Sequence, residues 1–103
     1  MAGDFEYHFE WDPVKAEKNA KDHGVTFEQA ATVFLDAGLL SQIDKEHGGE
    51  EERWVSLGLD KSMRLLVVCH TYREITERSA TIRIYSARKA TRKETKDYGK
   101  QGS

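Results

Sequence analysis

The sequence predicts one α+β domain: a small antiparallel β-sheet with two N-terminal helices and a C-terminal helix, in the order β-α-α-β-β-β-β-α. Three observations lead there. Near the N-terminus Phe5, Tyr7, Phe9 and Trp11 alternate with Glu6, His8 and Glu10, the two-residue period of a strand with one apolar face. Two helix starts follow in quick succession, at Asp12-Pro13 and at Thr26. The second half then carries extended runs joined by short polar turns, the usual connection between antiparallel strands.

Asp12 is placed to cap the first helix, and Pro13 occupies the first helical position, where its missing N–H costs nothing. Val14, Ala16 and Ala20 give this helix a thin apolar side. Gly24 ends it, after His23, whose charge suits a helix C-terminus; Asn19, one turn earlier, shares the His23 face. In the second helix Thr26 and Gln29 make a capping box, and Val25 can staple onto Ala30. Phe27, Ala30, Ala31, Phe34 and Leu35 form a helical stripe that reads as core. Asp36-Ala37-Gly38 is the exit.

Residues 39–43 read as a short strand, and residues 45–52 as a polar loop made mobile by Gly48-Gly49. Residues 54–59 form a strand, residues 60–63 a hairpin turn, and residues 64–72 a strand that is apolar on both faces and therefore central. A charged connection, 73–79, leads into a strand that becomes a helix over residues 80–98. By alternation Ile82, Ile84 and Ser86 share one face, and Arg83, Tyr85 and Ala87 the other. Thr91 and Glu94 write a second capping box. The helices should cover one face of the sheet and leave the other partly open. Residues 99–103 read as a disordered tail on a single domain spanning 1–103.

Composition narrows the function. At 103 residues the chain can bury roughly two-thirds of its unfolded surface. Apolar residues make up 38% and charged residues 33%, a polar but foldable balance. Cys69 is the only cysteine and lies in an apolar run, which suits a buried, inert thiol and excludes an intrachain disulfide. No run approaches the about 20 apolar residues of a membrane span, and no secretory leader is visible, so a cytoplasmic protein is expected. The net charge of −2 conceals a division. Acids dominate residues 1–52, whereas Arg83, Arg88, Lys89, Arg92, Lys93 and Lys96 crowd the C-terminal strand and helix. Such a chain either binds an anion on its basic side or neutralises one half with the other.

No phosphate-binding glycine loop, zinc-protease motif or nucleophile elbow is present, and the four histidines lack metal-ligand spacing, so neither metal nor cofactor is expected. What remains is a diffuse set. His70 is either a satisfied core histidine or a proton carrier near neutral pH. Arg83 is either a solvated sheet residue or a phosphate clamp. Glu52 and Arg53 are a surface ion pair, or an acid and an anion binder at the sheet edge. Tyr98 either packs the last helix down or lends its ring to a base.

Together these residues resemble the BrnT toxin family. Phe9-Glu10-Trp11-Asp12-Pro13 is similar to the family's opening, and Lys15, Asn19, then His23-Gly24-Val25 and Phe27 follow its K-x-x-x-N-x-x-K-H-G-V-x-F pattern. Glu52-Arg53-Trp54, Gly58, Val67-Val68, His70-Thr71 and the run from Ile82 to Thr91 continue the match. Asp22 stands where lysine is usual, and the loop 74–79 is longer than typical. The resemblance implies a RelE-like fold and a ribonuclease toxin of a type II toxin–antitoxin pair that inhibits translation. It implies a ribbon-helix-helix antitoxin of the BrnA type as partner, RNA as substrate, and operator DNA bound only through the antitoxin complex. Carried over by motif, Glu52, His70, Arg83 and Arg88 are the catalytic candidates, with Tyr98. Arg53, Lys89, Arg92, Lys93 and Lys96 are the RNA-binding candidates, and cleavage is expected to be metal-independent. The other class of reading is a degenerate toxin: a module that binds nucleic acid or antitoxin without catalysis.

Overall fold

A computed structural model describes residues 5–44 and 52–100. The glycine pair of the polar loop and residues 101–103 lie outside the described residues. The chain runs β1 (Glu6–Glu10), α1 (Pro13–His23), α2 (Phe27–Ala31), a 3₁₀ turn (Thr32–Leu35), β2 (Leu40–Ile43), β3 (Arg53–Leu59), β4 (Leu65–Thr76), β5 (Ser79–Lys89) and α3 (Arg92–Lys100). This is the expected α+β order. The last helix takes in Gly99 and Lys100, two residues expected in a disordered tail.

All three predicted capping patterns form. The Asp12 carboxylate accepts the Val14 N–H at 2.9 Å. Thr26 and Gln29 exchange hydrogen bonds of 2.9 and 3.0 Å. Thr91 and Glu94 do the same at 2.7 and 3.2 Å. Gly24 leaves α1 at φ 68°, the left-handed conformation that glycine adopts without a Cβ penalty.

The five strands lie in the order β1-β5-β4-β3-β2. The β2–β3, β3–β4 and β4–β5 pairs are antiparallel, but β1 pairs with β5 in parallel. The sheet is therefore mixed rather than wholly antiparallel. Hairpin connections constrain only strands adjacent in sequence, and β1 meets β5 after the rest of the chain has intervened.

The core lies between the N-terminal helices and one face of the sheet. Val25, Phe27, Ala30 and Val33 pack on Leu66, Val68, Ile82, Ile84 and Ala87. Trp11 meets the Phe27 ring edge-on at 6.0 Å, and Phe34 sits against Tyr7, Phe9 and His70. Two expected core positions are exposed instead. Leu35 is 84% exposed because the helix tightens into a 3₁₀ turn, which carries the buried side from Ala30 to Val33. Val14 is 74% exposed, and the inward side of α1 is completed by buried Asn19. Gly58 sits in close approach: a Cβ there would stand 2.7 Å from Leu39 Cδ1 and 3.3 Å from the Val33 Cβ and carbonyl oxygen, so a larger residue would push the Leu39 side chain aside.

The decisive local feature is an irregularity in β5. Cys69 pairs with Ser86, but His70 pairs with Ile84, so Tyr85 is an extra residue with no partner on β4. Beyond it the alternation reverses. Ala87 joins Ile82 and Ile84 in the core, and Ser86 turns to the face away from the helices, opposite to the simple alternation. The same shift puts Arg88 on the face that carries Arg83; without it the two would point to opposite sides.

Candidate functional site

The face of the sheet away from the helices, the open face, holds a groove of about 420 Å³ lined by Glu10, Glu52, Thr71, Tyr72, Arg73, Thr81 and Arg83. Four strands build it. Glu10 ends β1 and pairs with Arg83 of β5; Thr71 of β4 lies between Arg83 and Arg53 of β3, and Glu52 immediately precedes β3. The Arg83 Nη1 stands 3.5 Å from Glu10 Oε1, with half of each side chain exposed. Among the predicted residues, then, Glu52 and Arg83 converge. Arg53 flanks them, with its guanidinium over the Tyr85 ring.

His70 does not join them. It faces the helices, is 2% exposed, and meets the Phe34 ring edge-on at 4.9 Å. Its Nδ1 lies 3.0 Å from the Thr71 carbonyl, so Nδ1 carries the proton and Nε2 accepts from the Ser56 hydroxyl at 2.7 Å. Ser56 in turn accepts from Ser41 at 2.7 Å. Burial holds the His70 pKa below its ordinary 6.5, against the Thr71 contact that raises it. The unfolded chain therefore takes up the proton first. His70 supports full stability above about pH 6.5, and stability falls as the pH drops below that value toward the depressed folded pKa. Thermal melts between pH 8 and pH 5 should show this loss, and His70→Gln should flatten the slope.

Arg88 reaches the open face but is already engaged. Its Nη1 and Nη2 donate to Glu94 Oε1 and Oε2 at 2.8 and 2.9 Å. Glu94 is the same residue that completes the α3 capping box, so a single carboxylate starts the helix and ties it to β5. The Arg88 bond, outweighing desolvation and helped by Thr91, lowers the Glu94 pKa from 4.5 to about 2. This stabilisation is present above pH 4.5 and is lost as the pH falls through about 2. Arg88 is 40% exposed, so solvent screening limits the pair. Glu94→Ala should cost about 1 kcal/mol and lower the melting temperature by roughly 4–8 °C at pH 7. At pH 2 the difference should shrink.

Tyr98 is likewise held away from the groove. Its hydroxyl donates to Asp36 Oδ2 at 2.6 Å, and the same oxygen accepts the Leu59 N–H at 2.8 Å. Burial alone would raise the Asp36 pKa; the hydrogen bonds from Leu59, Tyr98 and Gly38 bring it down instead. Tyr98 thus pins the far end of α3. Lys89, Arg92, Lys93 and Lys96 are exposed on the end of β5 and on α3, and none of them lines the groove. Burial pushes the Cys69 thiol up, as suits an inert cysteine.

Glu10, Arg73 and Tyr85 carry no site signal in the sequence. Glu10 was visible on the wet face of β1, but its meeting with Arg83 depends on the parallel β1–β5 pair. Arg73 was assigned to a connection, whereas β4 continues through it to Thr76. Tyr85 stood beside Arg83 in sequence without a reason to single it out. Among the described residues no three His, Cys, Asp or Glu side chains cluster as a metal site would need. No helix among them is long and apolar enough to cross a membrane.

Residues 11–94 match a family model described as the ribonuclease toxin BrnT of type II toxin–antitoxin systems. The chain belongs to the BrnT family. The match takes in Glu52, Arg53, His70, Arg83, Arg88 and Glu94, and leaves Glu10 and Tyr98 just outside. The fold is similar to the crystal structure of the Brucella abortus ribonuclease toxin BrnT, with a TM-score of 0.54 and 17% identity, covering 84% of this chain and 99% of that one. At that identity the likeness speaks for the shared BrnT fold alone. No curated protein matches the chain. The BrnT family is one of ribonuclease toxins, whose type II systems pair a toxin with an antitoxin, and the open-face groove of this member brings together Glu10, Glu52, Arg73 and Arg83.

Proposed function

We propose that this chain is a cytoplasmic endoribonuclease toxin that cleaves single-stranded RNA in the open-face groove without a metal ion, and so halts translation. The observation that supports this reading best is the meeting of Glu52 with Arg73 and Arg83 in one groove of a BrnT-family chain. Glu52 takes the proton from a ribose 2′-hydroxyl. The freed oxygen attacks the adjacent phosphorus, the bond to the 5′ oxygen breaks, and a 2′,3′-cyclic phosphate is left. Arg83, held across β1–β5 by Glu10, forks onto the phosphate oxygens as charge gathers there. Arg73 neutralises the neighbouring phosphate, and Arg53 orients the strand. The leaving oxygen takes its proton from water in the open groove. His70, Arg88 and Tyr98 hold the scaffold, while Lys89, Arg92, Lys93 and Lys96 draw RNA in from a distance. A ribbon-helix-helix antitoxin of the BrnA type neutralises the toxin, and the complex binds operator DNA through the antitoxin and represses its own operon.

The test is cleavage of a labelled RNA oligonucleotide by purified protein, with and without EDTA. Undiminished cutting in EDTA, ending in cyclic phosphate, is expected; loss of activity on chelation would overturn the metal-free mechanism. A single 2′-deoxy substitution at the cut should abolish the reaction. A second reading, binding without catalysis, is favoured by the placement of His70 and Tyr98 away from the groove and by the engagement of Arg88 with Glu94. It predicts RNA that stays intact yet binds with a steep salt dependence.

A further inference from the structure

Tyr85 is an aromatic side chain of the open face that the core does not use. Tyr85 is the unpartnered residue of the β5 irregularity, half-buried over the middle of the sheet. Arg53 reaches it from β3, across β4, and places its guanidinium carbon 5.3 Å from the ring centroid. Arg53 is itself exposed and pairs in register with Thr71, which lines the groove beside Arg83. The Arg53–Tyr85 cation–π pair therefore stands one strand step from the phosphate clamp.

The chemistry of such a pair is specific. A guanidinium is planar, delocalised and weakly hydrated, so it lies against an aromatic ring while its outer side remains free to take another flat group. Unpaired RNA bases stack on arginine planes and aromatic rings in this way. A lysine in place of Arg53 would keep the charge but present no plane.

We propose that Arg53 and Tyr85 form a shelf on which the base flanking the cleaved phosphate stacks, and that this shelf orders the RNA for cleavage at Arg83. The inference rests on the RNA-cleavage reading and adds a base-recognition subsite to it. Tyr85 acts as the support that holds Arg53 flat, and Arg53 touches the base.

The test compares binding of an uncleavable oligonucleotide, 2′-deoxy at the cut, with the same strand made abasic at the flanking position. Wild-type protein should bind the abasic strand about tenfold more weakly. Tyr85→Ala and Arg53→Lys should bind both strands equally, at the wild-type abasic affinity, while Tyr85→Phe should keep most of the discrimination. Thermal melts confirm that each variant is folded; Arg53→Lys is a surface change and keeps the test valid where Tyr85→Ala unfolds. If both folded variants still discriminate as wild type does, the shelf is overturned while RNA cleavage stands. If wild type discriminates but never cuts an all-ribose strand, the catalytic reading falls and the shelf remains. If wild type binds the two strands equally, there is no shelf.

Discussion

Asn19→Ala should lower the melting temperature by roughly 12–24 °C, corresponding to a loss of about 3 kcal/mol from a total on the order of 5–15. Asn19 is 7% exposed, and its side-chain amide makes three hydrogen bonds. The Nδ2 donates to the Val25 carbonyl at 2.9 Å and the Ala87 carbonyl at 2.8 Å, and the Oδ1 accepts the Ala87 N–H at 3.1 Å. Strand β1 has already ended at the level of Arg83, so Ala87 has no strand neighbour on that side. The amide stands in for one, with the donor and acceptor of a peptide group. Alanine would leave three buried backbone groups unpaired. Asn19→Asp should be at least as damaging, because a carboxylate would face two carbonyls. Since Ala87 follows directly on the β5 irregularity, both variants should also disturb Tyr85 and Arg88. Calorimetry and near-UV circular dichroism check both effects; a melt within about 2 °C of wild type would refute the assigned role.

Arg83→Ala should reduce RNA cleavage by about 10²–10³ with little change in stability. Arg83 is half-exposed and pairs with an exposed Glu10, and an ion pair of that kind contributes roughly 0–1 kcal/mol to folding. Its removal should therefore separate activity from stability cleanly. Arg83→Lys should recover part of the rate, because the charge returns without the two-pronged geometry. Glu52→Gln should show a comparable loss if Glu52 is the base. Single-turnover cleavage beside a thermal melt measures both quantities. Full activity in Arg83→Ala would remove the phosphate clamp from the mechanism.

Local chemistry was readable in the sequence and long-range pairing was not. The caps at Asp12, Thr26 and Thr91 depend on residues at most one turn apart, and each forms. Phe27 and Ala30 are legible as core from their helical spacing, and Ile82 and Ile84 as residues of one face from their alternation. The phase change at Tyr85 left no mark, since one extra residue in a strand looks like any other. It reversed the expected sides of Ser86 and Ala87 and brought Arg88 round to join Arg83. Alternation puts His70 on the side of Leu66 and Val68, but alternation alone does not say that their side is the covered one. The site was half legible for the same reason: Glu52 and Arg83 carry motif signals, whereas Glu10 and Arg73 depend on which strands lie side by side.

The parallel pairing of β1 with β5 has a consequence in time as well as in space. All of α1 to β4 lies between β1 and β5 in the chain, so a ribosome releases Glu10 well before Arg83. Contacts so distant along the chain form late and slowly. The nascent polypeptide carries a strand of aromatic residues without its neighbour, and no groove. A fragment ending before Ser79 lacks Arg83 and any partner for β1. The groove, on this topology, assembles only after β5 has been made.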